Sequence, residues 1–361
     1  MCRFVRSTTT LILFILVLTG IGGCERGGTH VKGYKFLELD TAGPIALSHG
    51  GEWLATVSNG AYPPDGSSIV QIRDAQTTYP SGAMVRTTPI VQHLEFISKD
   101  FGFLLACSPE NSSGDEGNNE RPVSSLVQLA LNGEHRIIVE NIEGIISSVS
   151  LSSDHQSIAV CTNPQLHTEE NAKCRVFLLP DCREVSQFCP EKTKQMTVEF
   201  VGTTKSIFLW ATSPGEGTTG FLVESGSGEL LRKCLLAQDE LTLEAMAANP
   251  VSTDVFVSTA RAIYRVDPLA AEPSLEKYYV NSFDGGTFVD ASWVAIDPTG
   301  AYLALGEKVE GETKGEGTQV VEIASGRLLR PILDMAGPMA FSPDGKDLYF
   351  ANQRIEVHKL R

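Results

Sequence analysis

The stretch Met339-Ala-Phe-Ser-Pro-Asp-Gly-Lys-Asp-Leu-Tyr-Phe350 decides the fold of this 361-residue chain. An apolar segment enters a Ser-Pro-Asp-Gly turn and a second apolar segment leaves it, which is the pattern of a tight β-hairpin. Val294-Ala-Ile-Asp-Pro-Thr-Gly-Ala-Tyr-Leu-Ala-Leu305 is nearly a copy, and Ile45-Ala-Leu-Ser-His-Gly-Gly-Glu-Trp-Leu-Ala-Thr56 is another. One hairpin therefore recurs along the chain, and such recurrence indicates a repeat architecture.

Weaker copies of the hairpin bring the number of units to seven. The equivalent apolar positions are Leu47, Phe96, Leu151, Phe200, Ala248, Ile296 and Phe341, with spacings of 49, 55, 49, 48, 48 and 45 residues. A third strand, a turn and a fourth strand follow most hairpins. Units of this length predict an all-β chain folded as a β-propeller of seven four-stranded blades. Six or eight blades are the alternatives, because the unit that begins at Met246 is weak.

The two ends of the repeat region complement each other. The last unit stops at Arg361, directly after its third strand, while residues 34–39 offer a spare strand before the first unit. We expect this N-terminal strand to pair with the last blade and close the ring, which hides the exposed sheet edges. The propeller domain is then residues 34–361.

The repeat residues resemble those of WD-repeat propellers and of the Tyr-Val-Thr-Asn-type propellers, which share the Ser-Pro-Asp-Gly turn. The resemblance covers about residues 34–361 and implies the same seven-bladed fold. The chain departs from the WD-repeat pattern because it has no Gly-His before the inner strands and no Trp-Asp; Ile72-Arg73-Asp74 is its nearest equivalent.

The N-terminus has the features of a targeting segment. Arg3 and Arg6 precede the apolar run Leu11–Leu18, which is too short to span a bilayer and has the length of a signal-peptide core. Ile21-Gly22-Gly23-Cys24 then resembles the bacterial lipobox.

This resemblance implies a lipoprotein signal peptide at residues 1–23, acylation of Cys24, and a lipidated tether at residues 24–33. It places the protein outside the cytoplasm, anchored to the cell envelope by lipid, with the outer membrane or periplasmic side favoured. An ordinary secretory signal cut near Cys24 is the alternative.

The net charge of −15 makes nucleic acid an unlikely partner, because phosphate backbones repel an acidic protein. Acidic residues concentrate in the connections between second and third strands, which emerge together on one face of a propeller. They are Asp65, Asp115, Glu116, Glu120, Glu169, Glu170, Glu216, Glu307, Glu310, Glu312 and Glu316. We predict an acidic binding face there for a protein or peptide partner, with a merely solubilising surface as the alternative. The sequence does not indicate an oligomeric state.

Six cysteines remain beyond residue 24, in a compartment that permits disulfides. Cys182 and Cys189 flank a predicted turn, and Cys161 and Cys174 flank a predicted loop, so either pair is a candidate disulfide; buried free thiols are the alternative. The residues that bind zinc are usually closely spaced in the sequence, and such spacings are missing here, so we expect no metal and no cofactor. The turn histidines His49 and His155 are expected to be solvated.

Signatures of catalysis are missing. The chain has no Gly-x-Ser-x-Gly and no glycine-rich phosphate loop. The predicted inner strands are mostly apolar, and Trp53, Trp210 and Trp293 are predicted to be core. The sequence therefore favours a non-enzymatic interaction scaffold, anchored to the cell envelope. The alternatives are a lactonase-like or quinoprotein-like enzyme that acts on a small molecule at the central channel, and an assembly factor similar to the lipoprotein propeller of outer-membrane barrel insertion.

Overall fold

The chain folds as a seven-bladed, all-β propeller. The computed structural model describes residues 42–58, 67–87, 90–109, 122–164, 170–259, 262–278, 280–281, 287–288, 291–306, 317–333, 337–351 and 355–360. Six antiparallel sheets of four strands and a seventh of three follow one another along these residues. The described part of the chain holds no helix, and thus no helix that could cross a membrane.

Each blade is a meander of consecutive strands. Blades 1 to 3 contain β1 (Ala42–Leu47), β2 (Trp53–Ser58), β3 (Ser68–Asp74), β4 (Pro80–Thr87), β5 (Ile90–Ser98), β6 (Gly102–Ser108), β7 (Val123–Leu129), β8 (His135–Glu143), β9 (Ile145–Leu151), β10 (Ser157–Asn163), β11 (Lys173–Leu178) and β12 (Arg183–Phe188). Blades 4 and 5 contain β13 (Gln195–Phe200), β14 (Ser206–Ser213), β15 (Gly217–Glu224), β16 (Leu230–Ala237), β17 (Leu243–Ala248), β18 (Val255–Thr259), β19 (Ala262–Val266) and β20 (Glu276–Lys277). A two-stranded sheet of β21 (Val280–Asn281) and β22 (Thr287–Phe288) precedes blades 6 and 7, which contain β23 (Trp293–Ile296), β24 (Tyr302–Gly306), β25 (Gly317–Glu322), β26 (Arg327–Leu333), β27 (Met339–Phe341), β28 (Asp347–Ala351) and β29 (Ile355–Lys359).

The prediction of seven units is confirmed residue by residue. All seven equivalent apolar positions fall in the first strand of a blade, six of them at its last residue and Phe96 within β5. The weak unit at Met246 is a genuine blade, β17 to β20, although its outer strand is only two residues long. The connection that carries Glu216 is short: Ser213 ends β14 and Gly217 begins β15, so this connection is a tight turn.

The hairpin turn recurs because a polar side chain holds it. Asp297 is fully buried, and its Oδ1 accepts hydrogen bonds from the backbone N–H groups of Ala301 and Tyr302, both at 2.7 Å. In blade 7, Ser342 Oγ accepts equivalent bonds from Lys346 (3.1 Å) and Asp347 (2.9 Å). The Ser or Asp of the repeat is therefore a turn cap whose loss leaves buried donors unpaired.

Apolar clusters fill the spaces between neighbouring blades. Seven such clusters occur among the described residues, one for each interface of a closed ring. The closing cluster joins Leu54 and Ala75 of blade 1 to Tyr349 and Ala351 of blade 7, and Tyr349 Oη donates to the Ala75 carbonyl oxygen at 3.2 Å. The predicted closing strand at residues 34–39 lies outside the described residues.

A polar contact also crosses five of the blade interfaces. In each, a side-chain oxygen of one blade accepts a hydrogen bond from a backbone N–H near the start of the next blade's inner strand. The pairs are Ser68 Oγ with Val91 N (2.8 Å), Ser108 Oγ with Ile146 N, Asn163 Oδ1 with Met196 N, Thr218 Oγ1 with Leu241 N, and Ser258 Oγ with Ala291 N (all 2.9 Å). These contacts fix where each inner strand begins, and with it the mouth of the central channel.

Candidate ligand site in the central channel

A cavity of about 750 Å³ occupies the axis of the propeller, within the size range of small-ligand sites. The innermost strand of every blade contributes to its wall through Ile45, Glu95, Ser148, Glu199, Met246, Val294 and Met339. Asn163 and Thr212, near the ends of second strands, line it as well. The cavity therefore lies at the end of the channel where second-to-third strand connections emerge, which is the face predicted to be acidic.

The wall formed by blades 2 to 4 is polar. We call it the polar wall; it consists of Gln92, His93, Glu95, Ser147, Ser148, Asn163, Gln195, Thr197, Glu199 and Thr212. Strand alternation places these groups. In β13, for example, Met196, Val198 and Phe200 are buried between blades 3 and 4, and the residues between them are left to line the cavity. Apolar residues make up half or more of each of these inner strands, as predicted, but the polar residues between them line the cavity.

Glu199 is the most perturbed acid of the polar wall. Its carboxyl accepts a hydrogen bond from Ser150 Oγ at 2.8 Å, and its half-buried side chain meets water only through the cavity. Burial, and secondarily repulsion by Glu95, raise the pKa of Glu199 to about 8. At neutral pH this carboxyl is therefore mostly protonated.

Glu95, on blade 2 and separated from Glu199 by blade 3, has no hydrogen-bond partner among the described residues. Burial raises its pKa to about 7. Because each of the two charges disfavours the other, the pair resists carrying two negative charges in the empty channel.

His93 lies two residues before Glu95 on the same strand. Burial lowers its pKa to about 4, although a hydrogen bond with the Ser147 backbone acts in the opposite direction. The imidazole is neutral at pH 7, so it supplies no counter-charge to the two carboxyls.

The serines of blade 3 are occupied by structural bonds. Ser147 Oγ donates to the Met196 carbonyl oxygen (2.6 Å), and Ser148 Oγ accepts from Val198 N (2.9 Å). Ser150 Oγ accepts from Phe200 N (3.0 Å) while it donates to Glu199. These hydroxyls dock blade 3 against blade 4, and none of them is hydrogen-bonded to His93, as an activated nucleophile would be.

The opposite wall, from blades 5, 6, 7 and 1, is apolar. We call it the apolar wall; it consists of Pro44, Ile45, Leu243, Ala245, Met246, Trp293, Val294, Pro338 and Met339. The polar residues on this side, Thr242, Glu244 and Ser292, stand at the mouth, where the inner strands of blades 5 and 6 begin. The cavity is therefore amphipathic across its width.

Trp210 lines the cavity beside the polar wall. It is only 2% exposed, and its indole Nε1–H is buried without a hydrogen-bond partner. The register of β13 and β14 places it directly opposite Thr197, two residues along the strand from Glu199. Trp210 is core, as predicted, and it also leaves one buried donor without an acceptor. Trp293, which is half-buried in the apolar wall, is not simply core.

The predicted acidic face is only partly described. Asp65, Asp115, Glu116, Glu120, Glu169, Glu307, Glu310, Glu312 and Glu316 lie outside the described residues, as does the lipidation candidate Cys24. Of the rest, Glu216 pairs with Lys192 Nζ at 2.8 Å, and the Glu170 carbonyl oxygen accepts from Lys194 Nζ at 2.6 Å. The acidic face stays a prediction.

The cysteine candidates separate into two cases. Cys161 and Cys174 are directly opposed on β10 and β11, and both are buried free thiols here, so their disulfide stays a prediction. Cys182 and Cys189 stand at opposite ends of β12, about 20 Å apart for a strand of this length, which is too far for a disulfide. The turn predicted between them is this strand.

The two turn histidines are not simply solvated. The rings of His49 and His155 stack edge to face with centroids 4.0 Å apart, and His49 also contacts Phe96. Burial, and secondarily the charge of His155, lower the pKa of His49 to about 4. Across the described residues, no cluster of three or more His, Cys, Asp or Glu side chains is arranged to hold a metal ion.

Sequence reasoning missed His93, Glu95 and Glu199. The available signal was the alternation of β5 and β13, in which a polar residue stands at every position facing away from the inter-blade core. That pattern alone does not distinguish a channel-lining side chain from an exposed one.

The comparisons with known proteins concern the fold. No family model matches the chain, and no curated protein matches it. Among solved structures, hydrazine synthase of Kuenenia stuttgartiensis is similar with a TM-score of 0.65 and 16% identity over 93% of this chain and 99% of that one. The β-propeller domain of Cps50 (Swd1) from Myceliophteria thermophila is similar with a TM-score of 0.59 and 14% identity over 88% of this chain and 95% of that one. At these identities the likeness shows a shared propeller fold and says nothing of activity.

Proposed function

We propose that this chain is a non-enzymatic binding protein, anchored to the cell envelope by lipid at Cys24, which holds a protein or peptide partner over the mouth of its central channel. The observation that carries the proposal is the amphipathic cavity itself, which opens at the end of the channel where the acidic connections are predicted. Loops on a rigid scaffold around a concave site are the usual setting for recognition.

The charge of the chain supports a basic partner. The net charge is −15, and three glutamates, Glu95, Glu199 and Glu244, are among the described residues that line the cavity. Complementary charge speeds association and selects partners. A basic segment is the peptide chemistry that fits this surface.

Site-specific photo-crosslinking tests the role of the mouth. A photoreactive amino acid at Glu244, which is exposed at the rim, is expected to capture an envelope protein. The same group at Tyr79, which is 62% exposed on the outer side of blade 1, is the matched control. Equal capture from both positions, or none from Glu244, would contradict the proposal.

The anchor has its own test. Cys24→Ala is expected to abolish labelling with palmitate and to release the protein from the membrane fraction. Persistent labelling of this variant would refute the proposed lipobox.

A small-molecule enzyme of the lactonase-like or quinoprotein-like type is the second candidate. It is favoured by one observation: two carboxyls with a pKa near neutrality share the channel with a neutral histidine, and such groups suit acid–base chemistry. Turnover of a lactone or ester panel by the wild type, lost in Glu199→Gln, would favour the enzyme over the scaffold.

A further inference from the structure

We infer that the central channel is a receptor for an organic ammonium group carried on an alkyl chain, with the ammonium at the Glu95–Glu199 pair and the alkyl chain against the apolar wall. The inference rests on the proposed function, because it names the ligand chemistry of the same cavity. A lysine side chain of a partner and a free alkylamine share this chemistry, and the test below distinguishes them.

The charges around the cavity call for a cation. The titratable residues among its described lining are His93 and Glu95 on β5, Glu199 on β13 and Glu244 on β17, and this lining holds no lysine or arginine. The lining contributed by blades 3, 6, 7 and 1 is uncharged. Since His93 is neutral, nothing on the described wall balances two ionised glutamates. Buried carboxyls in proteins are normally neutralised by a proton or paired with a positive group, and a cation that enters the cavity would take the place of the protons.

Trp210 supplies an independent sign of a ligand. Its side chain lines the cavity, and its indole N–H is buried and lacks an acceptor, which is uncommon for a buried donor. Trp210 is a diagonal neighbour of Glu199 across β13 and β14, and such neighbours have Cα atoms about 7–8 Å apart. A ligand with a cationic group and a nearby carbonyl oxygen could pair with both Glu199 and the Trp210 N–H, and a peptide that contains lysine has both groups.

The apolar wall fits the rest of the ligand. Met246 and Met339 are adaptable side chains that accept a flexible alkyl chain, and Trp293 adds apolar surface on the same side of the cavity. The apolar side chains of this wall offer no ligand atoms to a metal ion, so the wall favours an organic cation.

Binding of the cation is linked to proton release. The free channel keeps Glu199 mostly protonated and Glu95 about half protonated at pH 7, since the pKa values of these residues are about 8 and about 7. An ammonium group favours the ionised forms, so the carboxyls lose their protons when it enters. Affinity is therefore expected to rise with pH between pH 6 and pH 8.5.

The experiment is calorimetric titration of the full chain with hexylammonium chloride, in sodium chloride of constant ionic strength. We expect saturable binding that is tighter by at least about tenfold at pH 8.5 than at pH 6. Titration at pH 7 in two buffers of different ionisation enthalpy is expected to reveal release of about one proton for each ligand bound. Binding without pH dependence, or no binding at all, would overturn the inference.

Two variants localise the site. Glu95→Gln with Glu199→Gln is expected to weaken hexylammonium binding by at least about tenfold, because it removes the counter-charges while keeping the side-chain volumes. Glu224→Gln, at the last residue of β15 on the same blade as Glu199, is the matched control and is expected to bind as the wild type does. Unfolding in urea verifies that both variants are folded, and equal binding by both would contradict the assignment.

A pair of acetylated peptides identifies the source of the ammonium. We expect a lysine peptide to bind and its norleucine counterpart, which lacks the charge, to bind at least about tenfold more weakly. Equal binding of the two peptides would overturn the inference, whereas binding of hexylammonium without the lysine peptide would support it with a free amine as the source. If every ammonium probe fails while Glu244 still crosslinks a partner, the ligand chemistry is wrong and the proposed function stands.

Discussion

The polar and the apolar wall of the channel are built by the same repeat and carry opposite chemistry. Blades 2 to 4 have inner strands of six to nine residues, and on the apolar side those of blades 5 and 1 also have six while those of blades 6 and 7 have four and three. Strand length therefore does not separate the two walls, and the side chains at the alternating positions that line the channel do. The difference teaches that the propeller fold determines where the channel lies, while the channel-facing residues of individual strands determine what the channel binds.

The first prediction concerns the cores behind the walls and has the largest effect. Phe208 lies behind the polar wall and Phe256 behind the apolar wall, and both are fully buried. Phe208→Ala and Phe256→Ala are each expected to lower the free energy of unfolding by about 3–5 kcal/mol, because each leaves a cavity in a packed interface. Urea unfolding measures both. If one substitution costs nearly nothing, the two halves differ in their cores and not only in their channel surfaces.

The second prediction uses the carboxyls of the polar wall. Their pKa values are raised in the folded state, so the protons they hold stabilise the fold at low pH, and this stability is lost as the pH rises through about 7 for Glu95 and about 8 for Glu199. Between pH 7 and pH 9 the wild type is expected to lose about 2 kcal/mol of unfolding free energy. His93 has the opposite effect on stability. Because its pKa is lowered from 6.5 to about 4 in the folded state, the free energy of unfolding falls as the pH drops below about 6.5.

Urea unfolding at several pH values checks this prediction. In Glu199→Gln, the free energy of unfolding is expected to decline much less between pH 7 and pH 9 than in the wild type. The control Glu224→Gln is expected to show the full decline. A decline of wild-type size in Glu199→Gln would show that other groups cause the pH dependence.

The third prediction addresses the side chains that accept hydrogen bonds across the blade interfaces, on the polar and on the apolar side of the channel. Ser108→Ala, in blade 2 at its contact with the start of blade 3, and Ser258→Ala, in blade 5 at its contact with the start of blade 6, are each expected to cost about 1–2 kcal/mol, since each leaves a buried backbone N–H without an acceptor. Similar values would show that the two walls share one scaffold. A loss of stability in Ser108→Ala alone would mean that these inter-blade hydrogen bonds stabilise only the polar side of the channel.

The fourth prediction has the smallest effect on stability. Trp210→Phe keeps an aromatic ring and removes an indole N–H that has no partner in the free protein, so we expect a change below about 0.5 kcal/mol. Affinity for the lysine peptide is expected to fall more than affinity for hexylammonium, which offers no acceptor. Equal effects on the two ligands would argue against a role for this N–H.

The sequence predicted the fold well because the turn that repeats is a local feature. Ser-Pro-Asp-Gly and its variants carry the cap that each hairpin needs, so seven hairpins can be located without knowing their neighbours. The site was not predictable in the same way. Glu95 and Glu199 are 104 positions apart in the sequence, and only ring closure brings them to one channel. Their alternating patterns, and that of Trp210, are equally compatible with an exposed face and with packing.

The ionisation of the two channel glutamates is the property on which the rest depends. Glutamates carrying ¹³C at the side-chain carboxyl, assigned with Glu95→Gln and Glu199→Gln, report it directly in an NMR titration of the folded protein. We predict midpoints near 7 for Glu95 and near 8 for Glu199, both moving downward when hexylammonium is added. Midpoints near 4.5 for both residues, unchanged by the ligand, would contradict a channel poised to receive a cation.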